Sequence, residues 1–167
     1  MSRLLLIFLL LVPALASAEC IELIEFEIED QFKEKHTRDE LLGQATVLVW
    51  ADRKGNEYLD AWSEALEEAL DGIDARTKPL AHVKGVPGWI PGLKGKIRGR
   101  FSKDPAEWAL MDWGGKFAKA YRPTEDTVNL LVFGADGCYR GRVAGSAPEP
   151  VLIDALLEML PEPASSE

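Results

Sequence analysis

A short apolar run, Val47-Leu48-Val49-Trp50, set between polar segments, most constrains what this chain can fold into. Its length and its β-branched and aromatic content read as a buried strand. After Ala51, the residues Asp52-Arg-Lys-Gly-Asn-Glu57 form a polar turn. Leu59, Trp62, Leu66 and Leu70 then recur at helical spacing over residues 57–70, and Gly72 supplies the stop. This is a strand–loop–helix joint, a place where ligands and chemistry often gather. The loop carries no Cys, His or Ser.

The other segments fall into place around that joint. Phe26 and Ile28 alternate with glutamates, the pattern of a half-exposed strand, and residues 30–39 are polar and turn-like. Asp39 to Gly43 reads as one helical turn stopped by glycine. The central strand covers residues 45–51, and a weaker strand is expected over 79–83. Residues 105–111 are ambiguous, and 113–121 read as a short helix. Val128-Asn-Leu-Leu-Val-Phe133 is a second core strand; Ala135-Asp136-Gly137 forms a hairpin turn, and residues 138–143 return. A closing helix spans 150–160, with Val151, Ala155, Leu156 and Met159 on one side. The order predicts an α/β layer fold, a mixed sheet with helices on both faces. The expected organisation is a leader (1–18), one domain (19–160) and a loose tail (161–167).

The leader expectation rests on grammar. Arg3 precedes the apolar stretch Leu4 to Val12, Pro13 breaks it, and Ala16-Ser17-Ala18 gives small residues at a cleavage site after Ala18. The stretch is shorter than the roughly 20 residues a bilayer span needs. The chain is therefore expected to be exported to the periplasm, with no membrane insertion once the leader is removed.

Formal charge is −9, and −10 without the leader, whose one charge is Arg3. Such a field excludes general attraction to nucleic acid or to an anionic membrane surface. The charge is nevertheless uneven. No acid occurs between Asp74 and Asp104, an interval that holds Lys84, Lys94, Lys96, Arg98 and Arg100 among its cations and Trp89 among its apolar residues. Two readings stand: a solvated loop balancing an acidic body, or a basic patch for an anionic ligand or an acidic partner.

Cys20 and Cys138 are the two cysteines, too far apart in sequence for a Cys-x-x-Cys motif. In an oxidising compartment they either pair or stay separately buried. No Cys/His/carboxylate cluster has ligand spacing, so no metal site or cofactor is expected.

Several of these segments carry a resemblance. Phe26-x-Ile-x-Asp30-Gln31, Leu42-Gly43, Val47-Leu-Val-Trp-Ala51 and the hairpin at Phe133-Gly-Ala-Asp-Gly137 together resemble the redoxin branch of the thioredoxin fold. That branch includes periplasmic thiol–disulfide oxidoreductases and peroxiredoxins. The resemblance implies a thioredoxin-like fold. It also places Lys54-Gly55-Asn56-Glu57 where the family has Cys-x-x-Cys, and Val128 where it has a cis-proline. Neither Lys54 nor Glu57 can exchange a disulfide. A cis bond before Val128 would cost roughly 2.5–4 kcal/mol, so it is expected to be trans. The helix near Glu57 still offers backbone N–H groups, either to an anion beside Arg53 and Lys54 or to Glu57 acting as a cap.

The expected function is that of a non-catalytic binding or interaction protein of the cell envelope. Its contact surface would combine residues 52–57 and 127–129 with the basic loop. The alternative is a thiol-dependent oxidoreductase or peroxidase acting through Cys138 or Cys20.

Overall fold

Residues Ala45–Ala51 form the central strand, β3, and all seven are buried. Their side chains alternate between two cores, which is why the run is apolar throughout except at Thr46. The computed structural model describes residues 20–87 and 89–161. The expected leader and nearly all of the tail lie outside the described residues.

The other strands are β1 (Glu27–Glu29), β2 (Lys35–Thr37), β4 (Ala75–His82), β5 (Leu110–Asp112), β6 (Val128–Phe133) and β7 (Tyr139–Gly145). The helices are α1 (Leu59–Ala69), α2 (Leu93–Arg98), α3 (Lys116–Tyr121) and α4 (Pro150–Leu157). Five strands make one mixed sheet in the order β5-β4-β3-β6-β7, and β1 and β2 form a separate antiparallel pair. β3 is parallel to β4 and antiparallel to β6, with Ala51 opposite Val128 and Thr46 opposite Phe133.

One face of the sheet packs Val47, Val49, Leu130 and Val132 against Trp62 and Leu66 of α1 and Leu156 of α4. The Trp62 indole N–H donates to the Gly145 carbonyl at 2.9 Å, so the ring is buried without stranding its polar atom. The other face packs Leu48, Trp50, Leu80 and Leu131 against Phe117 of α3 and Phe26 and Ile28 of the N-terminal segment. The fold is the expected α/β layer arrangement, with helices on both faces.

Several boundaries differ from the sequence expectation. The turn-like stretch 30–39 contains β2, which is paired with β1 from Glu27↔Thr37 to Glu29↔Lys35. Asp30 organises it: one carboxylate oxygen accepts the N–H groups of Phe32 (2.8 Å) and Glu34 (2.9 Å). The helical turn expected at 39–43 is a 3-10 turn over Arg38–Leu41. β4 starts four residues before the expected strand. Its first half is polar because it has β3 on one side only; pairing with β5 begins at Leu80. Pro79 falls in that open stretch, where a missing donor is tolerated. α1 begins at Leu59, after a 3-10 turn over Gly55–Tyr58. The ambiguous 105–111 segment leads into β5, and α3 starts only after Gly115, whose φ is +66°. α4 ends three residues short of the expected helix.

Candidate functional site

The joint after β3 is built around one carboxylate. Asp52 Oδ1 accepts the N–H groups of Lys54 (3.0 Å) and Gly55 (2.8 Å), and Oδ2 accepts that of Asp126 (2.9 Å). The exposed N–H groups at the start of the helical segment are therefore already satisfied, and by Asp52 rather than Glu57. Lys54 Nζ lies 2.6 Å from Asp126 Oδ2. The Asp126 carboxylate, through hydrogen bond and charge, raises the Lys54 ammonium above its ordinary value.

Gly55 explains how tightly the two segments meet. A Cβ built there would lie 2.3 Å from the Thr127 carbonyl oxygen. The Lys54–Glu57 loop is thus pressed backbone-to-backbone against the segment that enters β6. Thr127, Val128 and Asn129 are buried. Asn129 is spent on structure: its Oδ1 accepts from the Thr124 N–H and its Nδ2 donates to the Thr124 carbonyl, both at 2.8 Å. The expectation that 127–129 present a contact surface is therefore corrected. No cis peptide bond occurs among the described residues, so the bond before Val128 is trans.

The two cysteine sulfurs lie elsewhere. Cys20 and Cys138 form a disulfide with Cα atoms 5.3 Å apart, which leaves no free cysteine. Cys138 follows the β6–β7 turn, next to the Thr46 end of β3, whereas Asp52 follows the Ala51 end. The length of β3 separates the disulfide from the Asp52 joint, about 20 Å at roughly 3.3 Å per residue. The N-terminal segment also hydrogen-bonds along the hairpin, through Leu23 N–H to Gly137 O and Tyr139 N–H to Ile21 O, both 2.8 Å.

The basic interval divides into structural and surface cations. Arg98 is not a free surface charge: it pairs with Glu29 of β1, and its guanidinium lies 5.6 Å from the Trp113 ring centroid. Its side chain is largely buried, so its assignment to the interaction surface is corrected. Lys94 Nζ lies 4.9 Å from the same ring. Arg76 donates to Thr46 Oγ1 at 2.9 Å. Lys78 sits 4.1 Å from the Trp108 ring, and burial pushes its ammonium below the ordinary value. Lys84, Lys96 and Arg100 are exposed, and Trp89 is 83% exposed.

Sequence reasoning missed two features. His36 stacks on Trp108 with ring centroids 3.8 Å apart, and its nitrogens face Glu40 (2.8 Å) and Asp30 (3.2 Å). The His36–Glu40 spacing of four was the one available signal. A groove of about 400 Å³ runs between α1 and β4, lined by Val49, Leu59, Leu66, Leu70 and Ala75, with Glu67 and Asp71 among the polar residues beside it. Among the described residues no three His, Cys, Asp or Glu side chains converge as a metal site.

This architecture has known counterparts. The exposed lipoprotein thioredoxin Etrx1 of Streptococcus pneumoniae superposes with a TM-score of 0.59 at 17% identity, over 82% of this chain and 100% of that one. The fold is thioredoxin-like. Yeast Sco1 gives 0.58 at 16% identity, over 82% and 92% of the two chains. DsbF from MTB, solved in mixed oxidised and reduced forms, gives 0.54 at 13% identity, over 80% and 91%. No protein-family model matches the chain, and no curated protein matches it in sequence. At these identities the likeness carries the fold alone, and function has to be argued from the site.

Proposed function

We propose that this chain is an exported thioredoxin-fold protein that works by binding and not by thiol–disulfide exchange. The placement of sulfur carries the reading. Exchange needs a thiolate at an accessible, activated position. Both cysteine sulfurs of the chain are consumed in one bond at the end of the sheet away from the Asp52 joint. At the joint itself, Lys54 and Glu57 are exposed, and the neighbouring backbone N–H groups are held by Asp52. Lys54, Glu57 and Val128 are, on this reading, the positions of a redoxin site that has lost its chemistry. Export is supported by the leader-like residues 1–18, by a disulfide of the kind oxidising compartments preserve, and by the description of Etrx1 as an exposed lipoprotein. The contact surface is the basic loop, through Lys84, Trp89, Lys94, Lys96 and Arg100.

Turbidimetric insulin reduction by dithiothreitol tests the reading. The protein is expected to leave the uncatalysed rate unchanged, and intact mass after alkylation is expected to show both cysteines blocked until reductant is added. Turnover that disappears in Cys138→Ser would instead assign thiol chemistry to the chain.

A further inference from the structure

With the structural cations set aside, the basic interval leaves a tip of distinct composition. From Gly85 to Leu93 no side chain is charged, and the Trp89 indole N–H is the one polar side-chain group. Trp89 is 83% exposed and Ile90 37% exposed, while Pro87, Pro91 and Gly92 also face solvent. An indole left this open forgoes a large apolar burial that most tryptophans obtain. Cations stand on both sides of the tip in sequence: Lys84 before it, then Lys94, Lys96 and Arg100 after it. In α2, Leu93 and Ile97 are half-buried and Lys96 is exposed, as is Arg100 just beyond the helix. Glu29 of β1 pairs with Arg98.

We propose that this tip docks the protein on a bilayer bearing anionic lipids, with Trp89 and Ile90 entering the headgroup boundary and Lys84, Lys96 and Arg100 meeting lipid phosphates. The inference deepens the binding reading above and rests on it. A protein partner would be held by roughly one hydrogen bond per 100–200 Å² of interface; the flanking cations supply donors, but the apolar tip between them offers one side-chain donor, and the whole patch offers no side-chain acceptor. A bilayer makes no such demand. Tryptophan settles at the headgroup level, and lysine and arginine gain from the surface potential of anionic lipid. The chain's overall negative charge does not cancel this local attraction, because charges are screened over about 10 Å at moderate salt. The attachment is peripheral: no helix among the described residues is long and apolar enough to cross a membrane.

The test is co-sedimentation of the disulfide-intact protein with phosphatidylglycerol–phosphatidylcholine vesicles and with pure phosphatidylcholine vesicles. Binding is expected on the anionic vesicles, with loss at high salt. Lys96→Glu combined with Arg100→Glu should lower the partition coefficient by at least about tenfold. Trp89→Ser should lower it comparably, and circular dichroism should report both variants as folded. Brominated lipid should quench part of the tryptophan emission of the unmodified protein, a readout that needs no variant. Absence of sedimentation with anionic vesicles, or undiminished binding of Trp89→Ser, would overturn the proposal. So would capture by immobilised poly-glutamate without any vesicle binding, which would assign the tip to an acidic protein. None of these outcomes bears on insulin reduction, so the absence of thiol turnover stands or falls separately.

Discussion

At one end of the sheet a covalent bond ties the N-terminal segment to the β6–β7 hairpin. At the other, the Asp52 carboxylate holds two loops together through three backbone N–H groups. The first end keeps its geometry through a bond that solvent does not compete for. The second depends on hydrogen bonds that water can replace, and on a glycine that lets two backbones touch. That second end takes its rigidity from polar contacts.

Loss of the disulfide should weaken the fold most. Cys20→Ser with Cys138→Ser should lose about 2–4 kcal/mol of stability, read from urea denaturation. The Asp52 end should respond to crowding: Gly55→Ala puts a methyl group into the Thr127 carbonyl and should cost about 1–3 kcal/mol. Asp52→Ala removes the acceptor for three N–H groups, several of them reachable by water, and should cost about 1–2 kcal/mol. Lys54→Ala should leave the midpoint unchanged within error, since its pair with Asp126 is solvent-exposed. A midpoint shift as large as that of Asp52→Ala would mean that the ion pair, not the carboxylate cap, holds this end.

The smallest expected effect depends on pH and returns to the disulfide end. Asp136 accepts the Cys138 N–H at 2.9 Å and pairs with Arg140 at 2.7 Å. The Cys138 N–H, with help from Arg140, lowers the Asp136 carboxyl below its ordinary value. A depressed folded-state value stabilises the fold above the unfolded value, about 3.9 for aspartate. That contribution fades as pH falls through the lower folded value. Asp136→Asn should therefore lower the urea midpoint slightly at neutral pH, and the gap to the unmodified protein should close as pH falls through the folded value.

Much of the fold was legible because its strongest elements are locally consistent. Val47 to Trp50, the helical stripe ending at Leu70, and Val128 to Phe133 each carry their own pattern. β4 was read only in part because Arg76 and Lys78 disguise it as surface, while the structure uses one on Thr46 and the other on Trp108. The site was less legible for the same reason. Spacing marks a run of cations but not which of them meets a partner such as Glu29, 69 residues from Arg98 in sequence. The local part of the Asp52 cap, to N–H groups two and three residues on, was open to spacing; its bond to the Asp126 N–H was not, because that depends on how the chain folds back.

The Cys20–Cys138 bond also sorts the chain topologically. It closes a ring across a sequence separation of 118 residues, and that ring holds β1 to β6 and α1 to α3. β7 and α4 lie outside it, on an arm joined to the ring at Cys138. α4 supplies Leu156 to the core around Trp62, yet no covalent closure limits its departure. A pull on the C-terminus would peel α4 and then β7 from the sheet while the ring stayed closed.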